Sequence, residues 1–390
     1  MSKLRQWQRG LEYAWWSSVT PLVNHKVVPV PSPFHLTFSV THRCNSRCRM
    51  CYIWQKESGK DLNIEEISRI FAQNDFSSLT ALTLTGGEPT LRNDLVDLLV
   101  TVTSACPRIR QVTLATNGFN PRRTIEQVKG CLGVLQANSS IEQFFVQVSL
   151  DGVGELHDLI RGVPGFYDRV METLVFLKKM AQTEERLSLK LSSTVQPANV
   201  DSVSELQALA EHLDIPIRFG ALVFSSRYYG NIADEALRFK PEQAKRTSAT
   251  FSQMADANPG ANVKFYYRDA ARMALGAQRT KVCMQGYYGF VLEHDGNVYP
   301  CVNCEDRAFG NLCTHSFREV WRGTHAQALR REMRAHCCPG CTSICYTLPG
   351  NLVQVADVAW QRLMRRVQTR LTRFAGSTDS RARDQQSIHA

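Results

Sequence analysis

No run of uncharged apolar residues in this 390-residue chain approaches the roughly 20 needed for a membrane-spanning helix. Nor do residues 1–33 contain a secretory core, because Lys3, Arg5, Arg9 and Glu12 interrupt their apolar residues. These absences predict a cytoplasmic protein, in which thiols stay reduced and serve as metal ligands or buried apolar groups. The chain lacks a GxxxxGK phosphate loop, an HExxH metalloprotease motif and a GxSxG nucleophile elbow. P-loop phosphoryl transfer, zinc proteolysis and serine-hydrolase chemistry therefore find no support. No repeat of fixed period is present, which argues against solenoids and propellers. Acidic residues are outnumbered, 36 against 46 Lys and Arg, and the net charge of +10 favours anionic partners.

Cysteine is what the chain has in plenty: 13 residues, an odd number that a complete disulfide framework would not use up. Hydrophobic residues at 43% and charged residues at 21% are ordinary for a globular protein. From residue 34 short apolar strands alternate with amphipathic helices. Strands are expected at Phe34–Thr41, Leu79–Thr85, Gln111–Thr116, Phe144–Leu150, Leu187–Val195 and Ile215–Phe224. Helices are expected between them at Ile64–Asn74, Asp94–Ala105, Thr124–Leu135, Tyr167–Lys179 and Val203–Leu213. Strands separated by helices of this length form parallel βα units. Six of them predict an α/β fold, a partial (β/α)6 barrel with its chemistry at the C-terminal strand ends. The expected organisation is an N-terminal amphipathic extension over 1–33, a barrel core over 34–230 and a helical connector over 231–282. A small cysteine-rich domain over 283–350, a basic amphipathic helix over 351–375 and a disordered tail over 376–390 would follow.

Just after the first expected strand, THRCNSRCRMCYIW sets Cys44, Cys48 and Cys51 at the spacing C-x3-C-x2-C. Three thiolates on one loop can hold three irons of a [4Fe–4S] cluster and leave the fourth open to a small molecule. Zinc would want a fourth local ligand, for which His42 is the candidate. This loop resembles that of the radical S-adenosylmethionine (SAM) enzymes, and two further segments carry the resemblance. Thr85-Gly86-Gly87-Glu88-Pro89 is similar to the family's GGEP motif. Ser149-Leu150-Asp151-Gly152, followed by His157-Asp158 and Arg161-Gly162, is similar to its SLDG…HD…RG stretch, and Thr116-Asn117-Gly118 closes strand three. The resemblance implies that the open iron chelates the amino and carboxylate groups of SAM. It places Gly86, Gly87, Glu88 and Pro89 at the amino group, and Ser149 and Arg161 at the carboxylate, which an Arg fork suits. Asn117 and Asp151 complete the implied SAM site. The aromatic residue usual before the third cysteine is Met50 here, a flexible thioether that can fill the same space beside adenine. No catalytic side chain beyond the cluster and SAM site is expected.

Eight cysteines lie in 283–345: Cys283, Cys301, Cys304, Cys313, Cys337, Cys338, Cys341 and Cys345. Cys283 and Cys301 frame Gly296 as C-x12-G-x4-C, and Asp295-Gly296-Asn297 suits a turn between two short strands. The pattern resembles the C-terminal extension called SPASM, or its shorter form, twitch. Phe309-Gly310-Asn311-Leu312, Ser316-Phe317 and Val320-Trp321 resemble its linker, and Cys338-x2-Cys341-x3-Cys345 closes it. The full SPASM series is longer, so a twitch-like domain with one auxiliary [4Fe–4S] cluster is implied, although eight thiols could ligate two. The implied ligands are Cys283, Cys301, Cys338 and Cys341, with Cys345 as a substitute. The alternative is a zinc ribbon built from Cys301-x2-Cys304 and Cys338-x2-Cys341. The 33 residues between those knuckles exceed the usual roughly 15–20. Cys106 and Cys131 fall on expected helices and read as core.

At the ends, Leu4, Trp7, Leu11 and Trp15 follow helical spacing, as do Trp360, Leu363, Met364, Val367, Leu371 and Phe374, flanked by Arg362, Arg366, Arg370 and Arg373. Such faces either pack on the barrel or lie on an anionic membrane surface. By resemblance the chain is a radical SAM enzyme. Its cluster would cleave SAM reductively to methionine and a 5′-deoxyadenosyl radical that abstracts hydrogen from a substrate carbon. Oxidation, cross-linking, epimerisation or rearrangement of a small molecule, lipid-linked molecule or peptide would result. The 33 residues before strand one are few for a peptide-leader-binding domain, which counts against a peptide. Expected partners are SAM, that substrate, a one-electron donor such as flavodoxin or ferredoxin, and an anionic membrane surface, with no clear nucleic-acid signal. The competing class is non-catalytic: an Fe–S electron-transfer protein or a zinc-ribbon nucleic-acid-binding protein, neither of which would cleave SAM.

Overall fold

The computed structural model describes residues 29–57, 59–138, 140–258, 261–279, 283, 285–304, 307–333 and 341. Both amphipathic ends, Cys337, Cys338 and Cys345 lie outside the described residues.

Six strands alternate with helices: β1 His35–Ser39, β2 Ala81–Thr85, β3 Gln111–Thr116, β4 Gln143–Ser149, β5 Leu187–Val195 and β6 Ile217–Ala221. They run parallel and side by side in chain order, as successive βα units dictate. The helices between them are α1 Ile64–Phe71, α2 Leu95–Ala105, α3 Pro121–Ala137, α4 Glu155–Arg161, α5 Phe166–Thr183 and α6 Val203–His212. Two more, α7 Pro241–Ala257 and α8 Ala261–Ala274, precede the cysteine-rich segment. That segment contributes β7 Gly289–Glu293, a seventh parallel strand on the free side of β1, with His35 opposite Gly289 and Ser39 opposite Glu293. The expected turn at Asp295-Gly296-Asn297 is present: Gly296 has φ +88° and leads antiparallel β8, Asn297–Tyr299, back along β7. β9 Gly310–Asn311 closes the sheet, followed by α9 Phe317–Arg322 and α10 Thr324–Glu332. The result is an unclosed, partial barrel.

Period-2 alternation sorts the strands. Leu36, Phe38, Leu84, Leu114, Val146 and Leu191 are buried against the helices. Residues in register on the opposite, inner face are largely polar: Ser39, Thr85, Gln147, Ser149, Ser192 and Glu293. β3 and β5 have the expected limits. Strand six begins two residues later than expected because Pro216 has no N–H to donate and Ile215 turns its N–H to Ala210 O; it ends at Ala221 rather than Phe224. Strand one ends at Ser39, where the chain leaves the sheet for the cysteine loop. No described helix is long and apolar enough to cross a membrane.

Candidate active site

The loop from Thr41 to Tyr52 has no regular structure and is held by the strand ends around it. Gly87 N donates to Thr41 O at 2.7 Å and Glu88 N to Arg43 O at 2.8 Å. From the loop, Arg47 N donates to Arg161 O at 2.9 Å and Arg49 N to Ile160 O at 3.0 Å. A Cβ on Gly86 would lie 2.3 Å from Thr41 O, one on Gly87 2.3 Å from Arg43 O, and one on Gly162 2.2 Å from Arg47 O. The close approach these glycines allow is to the loop backbone itself.

Cys48 is buried, and Cys44 and Cys51 are partly so. Burial pushes Cys44 up to about 11 and Cys51 up to about 12, and the field of Cys48 adds to both. Three thiols in one another's field ionise together only beside a cation, which bound iron supplies. Among the described residues no three His, Cys, Asp or Glu side chains converge on a single metal ion, and His42 Nε2 lies 3.0 Å from Glu293 Oε2. This donor set fits three corners of a [4Fe–4S] cluster better than a mononuclear zinc site. Met50 packs with Cys48, Ile160, Leu222 and Leu237 in a small cluster apart from the main core.

The residues expected around SAM are joined to this loop. Buried Glu88 accepts from Thr90 N at 3.1 Å, Thr90 Oγ1 at 2.6 Å, Thr116 Oγ1 at 2.8 Å and Asn117 N at 2.6 Å, tying the end of β2 to that of β3. Burial raises its pKa more than these bonds lower it. Pro89 opens a short 3₁₀ turn that Glu88 caps. Asn117 Nδ2 donates to Asn45 Oδ1 at 2.7 Å and Ser46 Oγ at 3.2 Å, within the cysteine loop. Asp151 Oδ2 pairs with Arg161 Nη2 at 2.6 Å, and Arg161 Nη1 lies 3.6 Å from Cys48 Sγ. Burial works against the Arg161 cation, but Asp151 and Cys48 more than offset it. Neighbouring His157 accepts from Asp151 N at 3.1 Å, and burial, with Arg161 beside it, lowers its pKa to about 2. Ser149 ends β4 on the inner face, in register with Ser192.

In the C-terminal region, Asn303 Nδ2 donates to Cys341 Sγ at 3.2 Å, which brings Cys341 to the Cys301–Cys304 turn. Cys283 is half-buried against the core, Cys313 is exposed, and Cys106 and Cys131 are core residues as expected. Sequence reasoning missed Asn303, Arg227 and Glu293. They belong to no spaced motif, and only the position of Asn303 between two cysteines marks it.

Two protein families match the chain: the radical SAM superfamily over residues 38–189 and SPASM, an iron–sulfur cluster-binding domain, over 283–345. The second is the longer of the two forms that the cysteine pattern suggested. The sporulation killing factor maturation protein SkfB of Bacillus subtilis (strain 168) is 24% identical over 310 residues, covering 78% of this chain and 68% of SkfB. The GTP 3′,8-cyclase of Mannheimia succiniciproducens is 31% identical over 166 residues, 39% of this chain and 47% of the cyclase. The chain thus spans about half the length of that cyclase. Among solved structures, Streptococcus suis SuiB bound to S-adenosylmethionine superposes with TM-score 0.56 at 15% identity, covering 86% of this chain and 76% of SuiB. That likeness is one of fold. The non-catalytic reading loses its footing with these matches. The chain belongs to the radical SAM superfamily: it is an enzyme of SAM and a [4Fe–4S] cluster, with auxiliary iron–sulfur binding in a SPASM domain.

Proposed function

We propose that this enzyme modifies a carbon of a peptide or protein substrate. When bound at Cys44, Cys48 and Cys51, the cluster supplies the electron that splits SAM into methionine and a 5′-deoxyadenosyl radical, which takes hydrogen from the substrate. The observation that carries the reading is the Cys44–Cys51 loop, docked on the C-terminal ends of the strands with Arg161 between Cys48 and Asp151. Arg161 and Ser149 receive the SAM carboxylate. The backbone of Gly86, Gly87 and Pro89 faces the SAM amino group, while Glu88 positions Asn117. Met50 and its apolar neighbours take the adenine side. Auxiliary iron is held by Cys283, Cys301, Cys338 and Cys341, with Cys345 in reserve.

The peptide assignment is supported by relatives and neighbours. SkfB is a maturation protein for a killing factor, AlbA of Bacillus subtilis (strain 168) serves biosynthesis of the bacteriocin subtilosin, and SuiB has been solved with its precursor peptide SuiA. A flavodoxin- or ferredoxin-type donor supplies the electron. The basic segment 351–375 and the tryptophan-rich segment 1–33 rest on an anionic surface, as co-sedimentation with anionic vesicles at low salt would report.

Anaerobic reconstitution should give about eight irons per chain, and replacing Cys44, Cys48 and Cys51 with Ala should remove about half of them. The reduced wild type should produce 5′-deoxyadenosine and methionine from SAM, and Cys48→Ala should produce none. Fully reconstituted, reduced wild type that forms no 5′-deoxyadenosine with any peptide or small-molecule substrate would overturn the assigned chemistry.

A further inference from the structure

Between the two cysteine regions lies a buried ionic network with no role in the scheme above. Glu293 ends β7 beside the end of β1 and is 3% exposed. Its Oε2 lies 3.0 Å from Nε2 of His42, at the root of the cysteine loop. Its Oε1 accepts from Nη1 of Arg227 at 2.8 Å. The Arg227 side chain is 8% exposed and turns its other donors to one short turn. Nε donates to Cys304 O at 3.0 Å, and Nη2 donates to Val302 O at 3.1 Å and Cys301 O at 3.4 Å. Its guanidinium lies 3.6 Å from the ring centroid of Tyr299, which leads into that turn.

A buried ion pair is weak evidence for stability, because desolvation offsets the attraction. Stability alone would also be served by any partner for Glu293, which needs one donor from Arg227. What the pair does not explain is the convergence of the remaining donors on the carbonyls between two cysteines. Those bonds fix the turn, and they hold a full positive charge against it. Charge and hydrogen bonding around a ligating cysteine set the potential of an iron–sulfur group, because a reduced cluster is the more negative state. A cation favours reduction, and the carboxylate behind it tempers that effect.

We propose that Arg227, oriented by Glu293, is a positioning residue that seats the Cys301–Cys304 turn against the SAM-cluster loop and tunes the reduction potential of the auxiliary cluster through its charge. This rests on the reading that the SPASM region holds such a cluster through Cys301. The test uses the full chain with Cys44, Cys48 and Cys51 replaced by Ala, so that auxiliary iron alone is titrated. Arg227→Gln, Arg227→Lys and Glu293→Gln are compared in that background by iron content and by potentiometric titration followed by electron paramagnetic resonance.

Arg227→Gln should lower the potential and Glu293→Gln should raise it. Each shift should be at least tenfold in the reduction equilibrium, about 59 mV for one electron. Arg227→Lys, which keeps the charge, should stay closest to the parent. Should Arg227→Gln shed its iron while Arg227→Lys keeps it, the seating role stands and Glu293→Gln carries the charge test. Retained iron with potentials that are unmoved, or that move in the same direction, overturns the inference alone. Absence of iron from the parent background overturns the auxiliary-cluster reading and the inference with it.

Discussion

Glu293 and Glu88 are both buried carboxylates whose pKa values move in opposite directions, because hydrogen bonds and charge outweigh burial at Glu293 and burial outweighs the hydrogen bonds at Glu88. Burial by itself would push Glu293 up, but the His42 bond and the Arg227 charge reverse this and hold it at about 2. A carboxyl depressed on folding contributes stability that is present above its unfolded value and is lost as pH falls through the folded one. Between the ordinary 4.5 and about 2, that contribution is at most about 3 kcal/mol. Urea denaturation should therefore show a gap between wild type and Glu293→Gln that is widest above pH 5 and closes as pH falls through this window. A gap that stays constant would mean that the carboxylate is not stabilised by folding. Glu88 instead serves four donors. Glu88→Ala would strand Thr116 Oγ1 and Asn117 N in the interior, and should destabilise the protein by about 3 kcal/mol. Equilibrium binding should show weaker SAM affinity, because Asn117 loses its anchor. Of these residues the sequence marks Glu88, through its glycine-flanked motif, and the three loop cysteines, whose chemistry demands close spacing. Arg227 and Glu293 are far apart in the chain; they meet because β7 lies against β1 and because the segment that carries Arg227 is bonded to the cysteine loop, through Tyr52 N to Tyr229 O and Asn231 Nδ2 to Met50 O.

At the scale of elements, the cysteine loop depends on glycines at neighbouring strand and helix ends. Gly162 terminates α4 with φ +71°, and its Cβ position meets Arg47 O at 2.2 Å. Arg47 is itself bonded through its N–H to Arg161 O, so the loop cannot yield without losing that contact. Gly154 begins the same helix with φ +55° and has nothing within 4 Å of its Cβ position. The two glycines separate backbone strain from steric displacement. Gly154, at φ +55° and ψ −133°, holds a backbone conformation that side chains avoid, so Gly154→Ala should cost about 1–3 kcal/mol of backbone strain alone. Gly162→Ala adds a clash with Arg47 O to its own backbone strain and should therefore lower the iron held at Cys44, Cys48 and Cys51, read as iron per chain beside a thermal melt. Equal iron in both variants would remove the loop-docking role from Gly162. The same glycines hid α4 from the sequence reading, since seven residues between two of them give too short a periodic stretch to recognise. β3 and β5 were legible because apolar alternation runs their full length, whereas Pro216 delays the start of strand six. β7 was legible as half of a hairpin. Its place as a seventh parallel strand was not, because nothing in its own residues names β1 as the neighbour.

The cysteine-rich segment and the barrel share one sheet and one core, and this bears on whether either stands alone. Phe290 and Leu292 of β7, with Phe317 and Trp321 of α9, are at most 2% exposed. Phe317 packs on Phe76, which precedes β2, with ring centroids 4.5 Å apart. Trp321 stacks with Phe317 and donates Nε1–H to Pro31 O at 2.8 Å, ahead of β1. Buried Arg330 lies 4.3 Å from the Trp321 ring centroid and donates to Trp321 O and Gly286 O. Burial draws its pKa down to about 9, still a cation at neutral pH. A chain cut after residue 282 would lose Phe290, Leu292, Phe317, Trp321 and Arg330, and would leave the edge of β1 that pairs with β7 open. Each large apolar side chain buried contributes roughly 1.5–3 kcal/mol, so four of them rival the 5–15 kcal/mol by which whole domains are stable. The fragment 1–282 should therefore show no cooperative unfolding transition and should hold no cluster iron after reconstitution. The fragment 1–333 keeps β7, α9 and α10 while losing Cys338, Cys341 and Cys345. It should fold, bind SAM and retain about four irons at the first cluster. If 1–282 instead melts cooperatively and binds four irons, the barrel is self-sufficient, and β7 serves the auxiliary region rather than the fold of the whole.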